Sequence, residues 1–380
     1  MFELELKRCF VKSQYGSLTA LGAIFLFAPL SFGQWSAHGP GPRDLHTAIF
    51  DSATDGMIVF GGTDYGTINY NDVWVNVDVI SSTCQPTCQL IWNFENPSGT
   101  PPAPRSGHSA VYDSTNSRMV VFGGAEGFPS PCANDVWVLE NANGVAGSPA
   151  WVQLHPSGTP PPAREGHAAT YDPVANTMTI FGGSNCDGSY LGDTWVLSNA
   201  NGLGGTSKWK QLSPSGSLPT ARAYVSAAYN SSANTLTVYG GTDDPASNFL
   251  SDVWLLSGAN GTGKTSSWKQ LLPQGTAPPA RYGAATGYDS TNNRMIINAG
   301  NTPEGLLGDT WILENADNAG GTPTWMALAP SHAGSQIYFH SGVYDPTSNE
   351  FVAFAGLFHK APTPTTADDH VFVLTLANGL

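Results

Sequence analysis

Charge is scarce in this chain. Only 12% of its 380 residues are charged, and positive charge is the scarcer kind, 15 Lys and Arg against 29 Asp and Glu, for a formal net charge of -14. Nucleic acid and anionic membrane surfaces need a positive face to neutralise phosphate, so neither is expected as a partner. Long hydrophobic runs are also few. The clearest one, from Leu18 to Leu30, is shorter than the roughly 20 residues of a membrane-spanning helix. Cysteine is rare, with five in all. Uninterrupted helix-forming stretches are missing too: 43 Gly and 28 Pro break the chain throughout, which favours short strands and turns and excludes an all-helical protein. What is present is apolar substance. At 41% hydrophobic, the chain can bury a large core, and disorder is not expected.

Lys7, Arg8 and Lys12 precede the apolar run, and Ser31-Phe32-Gly33 follows it with small residues where a signal peptidase reads. This pattern predicts a signal peptide over 1–33, cleaved after Gly33, and a mature chain from Gln34 with no membrane span. The expected location is secreted, periplasmic or cell envelope. Cys9 leaves with the leader, and the remaining Cys84, Cys88, Cys132 and Cys186 are an even number in an exported chain, which reads as two disulfides. A zinc site is the rival reading, but Cys84 and Cys88 have no second close pair to complete it.

An internal repeat organises the rest. An arginine followed eight residues later by Asp or Asn recurs as Arg43/Asp51, Arg105/Asp113, Arg164/Asp172, Arg222/Asn230 and Arg281/Asp289, with Ile337/Asp345 as a sixth copy. Each copy then has an apolar run closed by small residues, from Gly61-Gly62 and Gly123-Gly124 to Ala299-Gly300 and Ala355-Gly356. Next come Asp72-Val73-Trp74 and its counterparts at Asp135, Asp193, Asp252 and Asp309, weakened to His370-Val371-Phe372 in the sixth. A further strand opens at Trp92, Trp151, Trp209, Trp268 and Trp325. Successive arginines lie 62, 59, 58 and 59 residues apart, room for four short strands separated by turns. Such a unit cannot bury both of its faces alone, so the units must stack, and a ring removes the exposed ends. The last copy lacks a fourth strand, while Trp35 stands alone before Arg43. The segment around Trp35 is therefore expected to complete the last unit against Val371 to Leu374. The fold class that follows is all-β, six four-stranded antiparallel blades in a closed ring over 34–380.

At these residues the sequence resembles the Kelch family of β-propellers: the glycine doublet, the Tyr-Asp before it (Tyr112-Asp113, Tyr171-Asp172, Tyr288-Asp289) and the later tryptophan. The subtype implied is the secreted, galactose-oxidase-like one. The family includes protein-binding modules, copper oxidases and sugar mutarotases, so the resemblance implies a scaffold more than a chemistry.

The repeated arginine and aspartate open the first and third strands and meet at one rim, which predicts structural pairs Arg43–Asp72, Arg105–Asp135, Arg164–Asp193, Arg222–Asp252 and Arg281–Asp309. Blade 6 loses both members, at Ile337 and His370. Histidine recurs three places after the arginine at His46, His108, His167 and His340, with Val225 and Ala284 in the other two blades. The preferred reading is that each satisfies backbone groups in its own blade, and the alternative is an arc of imidazoles around a metal. Gly258 to Thr265 fits the phosphate-loop pattern, but it lies between two strands with no helix after it, so nucleotide binding is not expected.

Residues that vary at equivalent places are better functional candidates. Asp64, Tyr65, Tyr70, Tyr190 and Asp243 lie in second-to-third-strand connections on one rim. His46, Glu165, His167, Tyr224, Tyr282, Tyr338 and His340 are expected near the channel mouth. Carboxylates beside aromatic rings can hold a sugar. Cys132 and Cys186 fall on this rim in adjacent blades and Cys84 and Cys88 on the opposite one, so pairing within each set avoids crossing the disc. The functional expectation is a monomeric, secreted, non-catalytic binding module for an extracellular protein or glycan, without a cofactor. The alternative is a carbohydrate-active enzyme of mutarotase or copper-oxidase type with its site at the mouth, where a histidine, a carboxylate and a tyrosine would have to converge. A spacer in a cell-envelope assembly is a third possibility.

Overall fold

The run Gly56–Phe60 is buried along its whole length because it is covered on both faces. Side chains alternate across a strand, and here Met57 and Val59 pack toward one neighbouring unit while Ile58 and Phe60 pack toward the other. The same division explains the continuous apolar runs Thr177–Phe181 and Thr235–Tyr239, each buried throughout. A computed structural model describes residues 6–9, 39–65, 67–76, 92–127, 131–329, 334–358 and 366–380. Among them there is no helix.

Six four-stranded antiparallel sheets follow one another along the chain. The first strands are Thr47–Asp51, Ser109–Asp113, Ala168–Asp172, Ser226–Asn230, Ala285–Asp289 and Ser341–Asp345. They touch one another in a closed circuit, the last against the first, so the sheets are the blades of a six-bladed β-propeller with these strands innermost. Second and third strands follow outward, and the fourth, such as Ala150–Leu154, forms the perimeter.

Cohesion lies between blades. Each outer-strand tryptophan reaches back to an aromatic ring in a second strand of the preceding blade: Trp92 to Phe354, Trp151 to Phe60, Trp209 to Phe122, Trp268 to Phe181 and Trp325 to Tyr239, at centroid separations of 5.0–5.3 Å. These rings are large and buried, so truncating one to alanine costs about 3–5 kcal/mol.

The sixth blade is completed by an N-terminal strand, but not from the expected segment. Leu6–Cys9 pairs with the third strand of that blade, Leu6 opposite Leu374 and Cys9 opposite Val371. Trp35 lies outside the described residues, as do Cys84 and Cys88. Backbone pairing at an open sheet edge selects for extended conformation more than for a particular residue, which is why an earlier segment can stand where the repeat alignment placed Trp35.

Candidate binding site at the channel mouth

An ion pair between a buried arginine and a half-buried aspartate anchors each of blades 1 to 5 at one rim. Arg43 donates through Nη1 and Nη2 to Asp72 Oδ1 and Oδ2 at 2.7 and 2.9 Å, and through Nη1 to the carbonyl of Gly61 at 2.9 Å. Trp74 Nε1 donates to the same carboxylate at 2.6 Å. Arg105–Asp135, Arg164–Asp193, Arg222–Asp252 and Arg281–Asp309 repeat the pattern. Burial opposes ionisation of Asp193, yet the Arg164 hydrogen bonds and charge outweigh it and hold the carboxyl below its ordinary value. Guanidinium groups held by a bidentate carboxylate and by backbone carbonyls are committed to the frame of their own blade. Their backbone carbonyls join blades, Arg105 O accepting from Gly62 N and Arg164 O from Gly124 N, both at 2.9 Å.

Two residues past the arginine position, the chain closes an annulus. Gly107 N donates to Leu45 O, Gly166 N to Gly107 O, Tyr224 N to Gly166 O, Gly283 N to Tyr224 O, Phe339 N to Gly283 O, and Leu45 N to Phe339 O, at 2.7–3.1 Å. All six residues are left-handed, with φ between +51° and +65°. That conformation is cheap for Gly107, Gly166 and Gly283 and strained for Leu45, Tyr224 and Phe339, whose bonds to both neighbours hold it.

The histidines occupy the next layer, with the annulus residues lining a cavity of about 210 Å³. Here the sequence expectation is corrected. Each imidazole bridges to the preceding blade instead of serving its own: His46 Nε2 bonds Ser341 Oγ at 2.7 Å, His108 Nε2 bonds Thr47 Oγ1 at 2.9 Å, and His167 Nε2 bonds Ser109 Oγ at 2.7 Å. His340 Nε2 donates to Asn298 Oδ1 at 3.0 Å. The rings of His46, His108 and His167 stand nearly edge-on to Phe354, Phe60 and Phe122. Burial pushes His108 and His340 down to about 3, with the Arg105 charge adding to the effect at His108. Among the described residues, no group of three or more His, Cys, Asp or Glu is placed to hold a metal ion.

Above the annulus the mouth is built from the residues that its glycines make room for. Glu165 lies over Gly107, where an added Cβ would come within 3.0 Å of Glu165 Oε2. Tyr224 lies over Gly166 and Phe339 over Gly283, where added Cβ atoms would meet their rings at 2.5 and 2.8 Å. Tyr282 contacts Tyr224, Phe339, Tyr338 and Phe249, and Tyr338 packs on Phe339 at 4.5 Å. Asn301 Nδ2 donates to the Tyr282 hydroxyl at 2.9 Å. Burial raises Tyr224, with the charge of Glu165 next in importance and that of Asp44 also contributing. Burial, Tyr282 and Asp44 push Tyr338 up to about 12.

Asp44 is the residue that sequence reasoning missed. It is 2% exposed, its Oδ2 has no hydrogen-bond partner, and burial pushes its carboxyl up to about 7 against the N–H of Tyr65. The available signal was its place in the repeat: Asp44, Ser106, Glu165, Ala223, Tyr282 and Tyr338 all follow the arginine position directly. The histidines, two residues further on, lie beneath the annulus and do not converge with Glu165 and the tyrosines.

The outer rim candidates are spread out. Asp64 accepts from Ile68 N at 2.5 Å, and Asp243 accepts from Asn248 Nδ2 at 2.6 Å. Tyr65 is 56% exposed. Tyr70 stacks on Arg43, 4.6 Å from guanidinium carbon to ring centroid. Burial and then the charges of Asp244 and Asp243 raise Tyr190. Cys132 and Cys186 form a disulfide across the connections of blades 2 and 3, with Cα atoms 5.6 Å apart.

The family model for the KLHDC2/KLHL20/DRC7 Kelch-repeats domain matches residues 30–144, 81–262 and 202–336. This chain belongs to the Kelch-repeat family. Kelch propellers bind proteins in general, and this one is similar to several Kelch-containing chains. An F-box/kelch-repeat protein of Arabidopsis thaliana is 28% identical over 250 residues, 60% of this chain and 49% of that protein. Kelch domain-containing protein 3 of Bos taurus is 25% identical over 233 residues, 60% of this chain and 56% of that protein. The chain thus spans about half the length of these curated relatives. The solved structure of YjhT shares the fold, with a TM-score of 0.57 at 14% identity, covering 87% of this Kelch propeller and 99% of that chain.

Proposed function

We propose that this Kelch propeller is a secreted, non-catalytic module that binds an extracellular protein at the channel mouth. The observation that carries the reading is the mouth itself: Tyr224, Tyr282, Tyr338 and Phe339 form a joined aromatic surface beside Asp44 and Glu165. Tyr224, Tyr338 and Phe339 are half-buried and rest on the buried Tyr282, and half-buried aromatic rings on a rigid frame are the usual anchors of an interface. A glycan is the second reading, favoured by the same rings next to carboxyl groups. The enzyme reading loses support because the histidines are committed between blades, away from Glu165. Binding by the double variant Tyr282→Ala/Tyr338→Ala, assayed on extracellular-protein and glycan arrays at a temperature where circular dichroism shows both proteins folded, is the test: the reading predicts at least about a tenfold loss, and undiminished binding overturns it.

Export is part of the proposal and rests on the leader pattern at 1–33. Cleavage after Gly33 would also remove Leu6–Cys9 from the sixth blade, and the segment around Trp35 is the proposed replacement strand. N-terminal sequencing of the exported protein should begin at Gln34; a retained Leu6–Cys9 segment would refute both statements.

A further inference from the structure

The mouth holds two carboxyl groups whose surroundings are incomplete. Other described carboxylates are answered: the half-buried Asp72 and its counterparts by arginines, and the buried Asp113, Asp172 and Asp289 by Asn201, Asn260 and Asn378 at 2.7 Å. Asp44 Oδ2 is buried with no partner, and no described donor reaches the Glu165 carboxylate. Leaving such groups unpaired is costly, and the cost is recovered when a donor arrives. Around them stand the faces of Tyr224, Tyr282, Tyr338 and Phe339, which attract a cation through the ring quadrupole.

Among the described residues, none supplies a cation there. The guanidinium groups described on this rim are bound to their aspartates. The lysines whose exposure is described, Lys208, Lys210, Lys264 and Lys269, are exposed and lie on outer strands or in a third-to-fourth-strand connection. The approach to the mouth instead carries Asp64, Asp187, Asp243 and Asp244 in second-to-third-strand connections, a field that draws positive charge inward.

We infer that the extracellular partner presents a lysine or arginine side chain to this mouth, its charge facing Asp44 and Glu165 and its apolar stem lying on the tyrosine and phenylalanine rings. A sugar hydroxyl would supply hydrogen bonds but not the missing countercharge. This inference rests on the binding reading above and narrows it to one ligand chemistry.

Titration of the full chain with hexaarginine and hexalysine peptides, followed by tyrosine fluorescence, tests it, with hexaglutamate and methyl galactoside as comparators. The expected result is saturable binding of the basic peptides alone, weakened at least about tenfold by Asp44→Asn/Glu165→Gln and about threefold or less by Asp187→Asn/Asp243→Asn/Asp244→Asn. Equal weakening by the two sets would mean diffuse surface attraction and would overturn the inference. So would absence of basic-peptide binding, or methyl galactoside binding that the mouth variant abolishes. If the double variant does not fold, Glu165→Gln alone carries the comparison. Loss of a true partner in Tyr282→Ala/Tyr338→Ala, with basic peptides ignored by the wild type, would keep the mouth as the binding site and discard the cation.

Discussion

Asn230 Nδ2 donates to Asp317 Oδ2 at 2.8 Å across the junction of blades 4 and 5, the reverse of the bond found at the other described junctions. There the later blade supplies the amide: Asn143 to Asp51 at 2.8 Å, and Asn201 to Asp113, Asn260 to Asp172 and Asn378 to Asp289 at 2.7 Å. Each pair keeps one carboxylate and one amide, since two carboxylates repel and two amides leave acceptors unmatched. Asn230→Asp and Asp317→Asn are each expected to destabilise by about 1–3 kcal/mol. The double swap should recover most of that loss in a urea-denaturation cycle; additive losses would show that the pair is not coupled.

The buried histidines make the fold sensitive to acid. His46, His108, His167 and His340 are all held well below the ordinary histidine value, first by burial. Unfolded histidines take up protons below about pH 6.5 while the folded ones stay neutral, so stability is full above that pH and falls as pH drops toward about 3. The slope of unfolding free energy against pH near pH 5 should correspond to as many as four protons, and His340→Gln should lower it by about one.

Asp44 acts in the opposite sense. Its carboxyl is raised to about 7 in the folded protein from 3.8, so the stability it permits is present below about pH 4 and is lost as pH rises through about 7. Asp44→Asn should therefore stabilise the protein at pH 8, by about 1–3 kcal/mol, while weakening ligand binding. Thermal unfolding at pH 5 and pH 8 measures this, and a variant less stable than wild type at pH 8 would contradict it.

The disulfide Cys132–Cys186 spans 54 residues and joins adjacent blades. Cys132→Ser/Cys186→Ser should cost about 2–4 kcal/mol relative to the oxidised wild type. Peptide mapping without reduction should recover this link, and a Cys88–Cys132 link would contradict it.

The sequence by itself determined the propeller. Strand identity follows from local alternation and turn residues, and six approximate copies of Arg, Gly-Gly, Asp-x-Trp and Trp force stacking, because no single unit can cover both faces. What stood in the sequence but could not be read was the partner of each side chain. His46 and His167 sit at repeat positions, yet the hydroxyls of Ser341 and Ser109 that hold them belong to the preceding blade. Asp44 looks like one more polar residue beside Arg43 until the ring brings it to the mouth shared with Glu165 and Tyr338. Those contacts join residues far apart in the chain through a closure that spacing fixes in number but not in detail. The tertiary structure alone decided which groups are satisfied between blades and which are left facing the mouth.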